Sequence, residues 1–203
     1  MSGKIILLNG ASSSGKSTLA AALQSVLPEP FWHVSIDHLL SAGVLPRGRI
    51  DSGEFLWSEL RPSFFDGFHR CIPALAQAGN NLIVEHIVET GAWLNRLLDL
   101  TAELDVFYVG VHCPLAELER RERERGDRRI GEARTDFETV HAFGPYDLEV
   151  RATEPVEHNA SAVCAAWQSR PKDGAFARMR LQRPGRQNAA QPCLPAQLPT
   201  AGR

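Results

Sequence analysis

Short, nearly unbroken apolar runs alternate along this chain with longer amphipathic stretches, a pattern that predicts buried parallel strands separated by helices. Residues 4–9 read as the first strand, and a helix follows over about 15–27, stopped by Pro28 and Pro30. Further strands are expected over 31–36, 81–88, 104–112 and 146–150. Further helices are expected over 54–78, where Pro62 and Pro73 would interrupt, and over 91–102, 115–125, 136–143 and 157–168. Residues 41–53 carry Gly43, Pro46, Gly48 and Gly53 and read as loop. The alternation predicts an α/β fold around a five-stranded parallel sheet. After about Arg170 the periodicity gives out among Pro171, Pro184, Pro192, Pro195 and Pro199, so 171–203 read as a disordered tail behind one domain at 1–170.

Composition narrows the class of partner. The 203 residues are 43% hydrophobic and 23% charged with a formal net charge of -2, a balance with no overall bias toward nucleic acid or acidic membranes. No apolar run approaches the ~20 residues of a membrane span. The start of the chain lacks the basic region and apolar core of a signal peptide, which predicts a cytoplasmic protein. The four cysteines form no CxxC pair, so neither a zinc site nor a disulfide framework is predicted, and Cys71, Cys113 and Cys164 read as small reduced core residues.

The chemistry begins between the first strand and the first helix. Gly10-Ala11-Ser12-Ser13-Ser14-Gly15-Lys16-Ser17 has the form GxxxxGKS, and a strand before it with a helix after it is the setting in which that spacing has meaning. The glycines let successive N–H groups of Ser12, Ser13, Ser14 and Gly15 turn inward toward phosphate oxygens, and the helix opening at Lys16, Ser17 and Thr18 adds its positive dipole end. Lys16 would reach the β and γ phosphates, and Ser17 would ligate Mg²⁺. A fortuitous Gly/Ser turn is the alternative.

Other candidates follow from position. Asp37 falls at the expected carboxyl end of the second strand, where ligands bind in open α/β sheets. Glu85 follows an apolar strand and either holds the water shell of Mg²⁺ or only hydrogen-bonds a loop. Phe55, Trp57, Phe64, Phe65 and Phe68 either wall an acceptor pocket or fill the core. Most charges of the 115–125 helix fit i,i+4 pairs on a solvated face. Arg128, Arg129 and Arg134 have no such face and read as a mobile lid whose arginines meet the moving phosphoryl group. His141 could face an acceptor, although a lone histidine is more often structural.

With these residues in place, the sequence resembles the chloramphenicol phosphotransferase family of P-loop kinases. The resemblance is carried by GASSSGKS at 10–17, Ser35-Ile36-Asp37, the stretches at 78–84 and 109–115, Arg121-Glu122, Arg125-Gly126-Asp127-Arg128, Val140-His141 and Tyr146-Asp147-Leu148-Glu149-Val150, within about 4–168. It implies a three-layer P-loop fold like that of nucleoside monophosphate kinases, with a lid at about 126–135. It also implies ATP, Mg²⁺ and transfer of the γ-phosphoryl group to a small-molecule hydroxyl, with chloramphenicol as the named acceptor. Asp37 then stands at the family's general-base position, Arg128 joins Lys16 in catalysis, and Arg121 and Arg125 join the loop in holding the nucleotide. Two departures stand out: Glu85 replaces a usual Asp, and Arg151-Ala152-Thr153 replaces a common Asp-Thr-Ser near the adenine. A nucleoside or nucleotide kinase of the same fold, or an ATP-binding regulatory module without an acceptor, are the competing readings.

Overall fold

In the computed structural model, which describes residues 1–125 and 130–183, five strands form one sheet with the order β2-β3-β1-β4-β5. The strands are β1 (Ile5–Asn9), β2 (Phe31–Val34), β3 (Asn81–His86), β4 (Val106–His112) and β5 (Leu148–Arg151). Every pairing is parallel. The helices are α1 (Lys16–Val26), α2 (Ile36–Ser41), α3 (Arg47–Asp51), α4 (Trp57–Gln77), α5 (Gly91–Leu100), α6 (Leu115–Arg125), α7 (Glu132–Thr139), α8 (Val156–Gln168) and α9 (Ala175–Gln182).

Alternation along the strands divides the core in two. Ile5, Leu7, Leu82, Val84, Val106 and Tyr108 pack with Phe68, Ile72, Leu97 and Phe176 from α4, α5 and α9. Ile6, Leu8, Ile83, Phe107, Val109 and Val111 pack on the other face with Leu19, Leu23, Val163 and Trp167 from α1 and α8. Both faces are covered, so the strands read as continuous apolar runs in the sequence.

Several expectations need correction. Residues 35–36 do not extend β2: the Ser35 hydroxyl accepts the His38 N–H at 3.1 Å and starts α2 there, so Asp37 lies in the first turn of a helix. Pro62 and Pro73 do not break α4, because burial of Phe68, His69, Ile72, Pro73 and Ala76 holds the helix against the sheet. Part of the supposed loop at 41–53 is α3. Of the expected tail at 171–203, residues 171–183 are packed on the domain, since α9 buries Ala175, Phe176 and Met179, and 184–203 lie outside the described residues. The sequence misleads there because eight residues supply too short a pattern to stand out among Arg and Gln. Among the cysteines, Cys113 is buried as expected, whereas Cys164 is half-buried and Cys71 is exposed.

Candidate functional site

At the carboxyl ends of the strands lies a cleft of about 600 Å³, lined by residues 12–19, 35–37 and 85–87 and by Phe65, Glu89, Arg121 and Arg125 among others. It opens beside β1, where the connections diverge: β2 and β3 lie to one side and β4 and β5 to the other.

The floor is the loop between β1 and α1. A Cβ on Gly10 would lie 2.6 Å from the Val111 carbonyl oxygen, so glycine alone fits against β4. Gly15 caps α1 with φ of 90°, and Ser13 also has a left-handed φ of 63°. Lys16 folds across the loop, its Nζ donating to the carbonyls of Gly10 and Ala11 at 2.8 Å each. The Ser13 and Ser14 hydroxyls are buried and find no hydrogen-bond partner among the described residues. Two orphaned hydroxyls beside a buried ammonium and a helix N-terminus are what a polyphosphate would satisfy.

Glu85 meets this loop from β3. Leu8 and Glu85 are register partners, and Ser17 at the start of α1 donates its hydroxyl to Glu85 Oε2 at 2.9 Å. Glu85 Oε1 is paired with His33 Nε2 on β2. Burial pushes the Glu85 carboxyl upward, but the His33 contact, the Lys16 charge and the Ser17 hydroxyl together hold it below the usual range. One hydroxyl and one ionised carboxylate at the edge of a phosphate cradle fit Mg²⁺, which binds through few protein oxygens and completes its shell with water and phosphate. No group of three or more His, Cys, Asp or Glu that could hold a metal exists among the described residues, so Ser17 and Glu85 are the donors in question.

Asp37 lines the same cleft from the first turn of α2 and is exposed. Arg121 reaches the rim, donating to the Ala152 carbonyl at 3.0 Å and to Glu117 at 2.7 Å, and Arg125 lines the cleft one turn on. Arg128 and Arg129 lie outside the described residues. Arg134 pairs with Glu119 at 2.6 Å and is not part of the cleft wall. The aromatic group divides between both readings: Phe68 is core, whereas Phe65 lines the cleft and stacks on Trp93 at 4.5 Å. His141 is structural in its contacts, its Nδ1 2.7 Å from the Tyr146 hydroxyl and its ring stacked on His112.

Several contacts here have no signal in local spacing, even where a partner such as Glu122 belongs to a family stretch. The Ser12 N–H, one of the loop donors, is taken by Asp136 Oδ2 of α7 at 2.9 Å. Glu122 is not part of a solvated face but accepts the N–H groups of Gly131 and Ala133 at 2.8 and 2.9 Å, fixing the start of α7. Asn9 joins the loop to the same region, donating to the Val140 carbonyl and to the Tyr146 hydroxyl at 2.8 Å. His86, on the cleft wall, lies with its Nε2 2.7 Å from that of buried His69. Burial drives both rings toward the neutral form, lowering His69 to about 4 and His86 to about 3. These are contacts between distant segments, and no spacing rule within one segment announces them.

The family described as chloramphenicol phosphotransferase-like protein matches residues 3–168. Two curated relatives from Mycobacterium tuberculosis, strains CDC 1551 and H37Rv, carry the name "Putative O-phosphotransferase" and are each 33% identical over 205 aligned positions, covering 88% of this chain and 88% of theirs. The fold is shared with the M. tuberculosis APS kinase CysC in complex with AMPPNP and APS, at a TM-score of 0.62 and 19% identity over 82% of this chain and 98% of that one. It is shared equally with an unliganded sugar kinase from Janibacter sp. HTCC2649, at a TM-score of 0.62 and 18% identity over 83% of this chain and 96% of that one. The chain therefore belongs to the chloramphenicol phosphotransferase-like family and is a phosphotransferase built on the P-loop kinase fold.

Proposed function

We propose that this chain is an ATP-dependent small-molecule kinase that transfers the γ-phosphoryl group to a hydroxyl, with Mg²⁺ as cofactor. The observation that carries the reading is the convergence of Lys16, the Ser17–Glu85 pair and Asp37 on one cleft. Residues 12–18 would hold the phosphates, with Arg121 and Arg125 at the rim. Ser17 and Glu85 would hold the cation, which when bound neutralises phosphate charge and favours in-line displacement.

Asp37 is the carboxylate that lines the cleft from α2, across from the loop. Its role is to accept the acceptor hydroxyl's proton or to orient that hydroxyl for attack. Lys16 is tied to loop carbonyls and is poised to exchange them for phosphate oxygens. Phe65, backed by the stacked Trp93 ring and with the Arg61 guanidinium 4.6 Å from its centre, gives the acceptor side an aromatic wall. That wall favours an acceptor with an apolar or aromatic part, chloramphenicol among them, over one that is polar throughout.

The test is transfer of label from γ-labelled ATP to a panel of amphenicols, nucleosides and nucleotides, with product analysis. A phosphorylated amphenicol supports the reading, and a nucleoside product moves it to the nucleoside-kinase alternative. Tight ATP binding with no acceptor-stimulated ADP release across a broad metabolite panel would leave the regulatory module.

A further inference from the structure

His33 stands on β2 in register with Ile83, and side chains of a strand alternate between faces. Ile83 packs into the core under α1, so Glu85, two residues on, projects to that same face, where His33 can meet it. Glu85 is held from two sides: His33 Nε2 contacts Oε1, and the Ser17 hydroxyl donates to Oε2 at 2.9 Å. Both side chains of the His33–Glu85 pair are largely shielded from water, 14% and 9% exposed. The other ring in contact with His33 is that of His38, edge-on at 4.5 Å between centroids, and His38 directly follows Asp37.

We propose that His33 is a positioning residue for the metal-binding carboxylate: by fixing Oε1 of Glu85 it aims Oε2 at the Ser17 hydroxyl and at the place a cation takes. This rests on reading the cleft as a Mg²⁺-nucleotide site. Glutamate has one more rotatable bond than aspartate, so its head group is less well defined by the backbone alone. A second anchor on the neighbouring strand removes that freedom before the metal arrives. To donate to an ionised carboxylate, Nε2 must carry a ring proton. Outer-shell partners of ligating side chains are commonly worth about 10–100-fold in metal affinity.

The experiment measures binding of a fluorescent ADP analogue to the full chain, first in EDTA and then across a Mg²⁺ titration. H33A and H33L, the second of which fills the space without a donor, should raise the Mg²⁺ concentration at half-effect about tenfold while leaving affinity in EDTA unchanged. H33Q, which keeps an N–H for Glu85, should restore the midpoint toward wild type. In an E85A background, H33A should add nothing, because its effect passes through Glu85. An unchanged midpoint in both H33A and H33L overturns the proposal, as does an equal loss of affinity in EDTA and in Mg²⁺, which marks a merely structural histidine. A wild-type chain that binds ADP equally with and without Mg²⁺ would instead defeat the metal reading of the cleft itself.

Discussion

Asp37 and Glu85 both line the cleft, yet their surroundings assign them different work. Glu85 is buried, bonded through both oxygens and held ionised by its neighbours, so it suits a fixed cation site and is poorly placed to accept another proton. Asp37 is exposed at the opening of α2, where a hydroxyl can approach it. D37N keeps the shape and removes the proton acceptor, so it should retain ADP affinity and lose about 10²- to 10⁴-fold in kcat. Binding titrations beside steady-state rates check this, and an unchanged kcat would dismiss Asp37 as the base. Asp37 was legible because it follows an apolar run within a recognisable family segment, even though the run ends earlier than expected and a helical turn carries the residue. His33 was not legible, because a histidine on a four-residue strand becomes informative only when the neighbouring strand brings Glu85 beside it.

Among elements, the contact of α7 with the phosphate loop has the clearest functional consequence. Asp136 places a carboxylate oxygen on the Ser12 N–H, a donor that phosphate would also use, and its charge repels a phosphate nearby. D136A should tighten ADP binding roughly fivefold, corresponding to about 1 kcal/mol, with D136N in between. Calorimetric titration reads both, and weaker binding in D136A would mean that α7 supports the nucleotide and does not compete with it. The joint between α4 and β3 makes a different prediction. His69 and His86 are neutral when folded, with pKa values below the 6.5 of a free imidazole, so the unfolded chain binds more protons as acidity rises. This contribution to stability is complete above about pH 6.5 and is lost as pH falls, toward about 4 for His69 and about 3 for His86. Denaturant melts between pH 7 and 5 should show the decline, and H69F, which removes one titrating ring, should flatten it. Strands and long helices were legible from period alone; the joints between them were not, since they pair residues far apart in the chain, 17 positions for His69 with His86 and 131 for Asn9 with Val140.

At the scale of the whole molecule, residues 171–183 join the cleft's scaffold from behind. Asp147 gathers three elements: it accepts the Tyr108 N–H of β4 at 2.8 Å and the Ala175 N–H at the start of α9 at 2.5 Å, while sitting just before β5. Phe176 is fully buried against Tyr108, with ring centroids 5.1 Å apart, and Arg183 pairs with Asp99 of α5 at 2.7 Å. The Tyr146-Asp147 dipeptide is thus a fastening device, since Tyr146 holds Asn9 beside the loop and Asp147 holds α9 to the sheet. None of α9 lines the cleft, so its contribution should separate from catalysis. F176A deletes a buried ring and should cost about 3 kcal/mol or more, lowering Tm by roughly 10 °C in a chain of this size. ADP affinity per folded molecule should not change, because the phosphate loop and Glu85 are joined directly by the β1–β3 register and the Ser17–Glu85 hydrogen bond, neither of which involves a residue of α9. Calorimetry paired with ADP titration well below the melting range tests both halves. A stable F176A chain would show that α9 rides on the sheet without supporting it, whereas a folded chain with weakened ADP binding would mean that packing behind β4 reaches through the sheet to the phosphate loop.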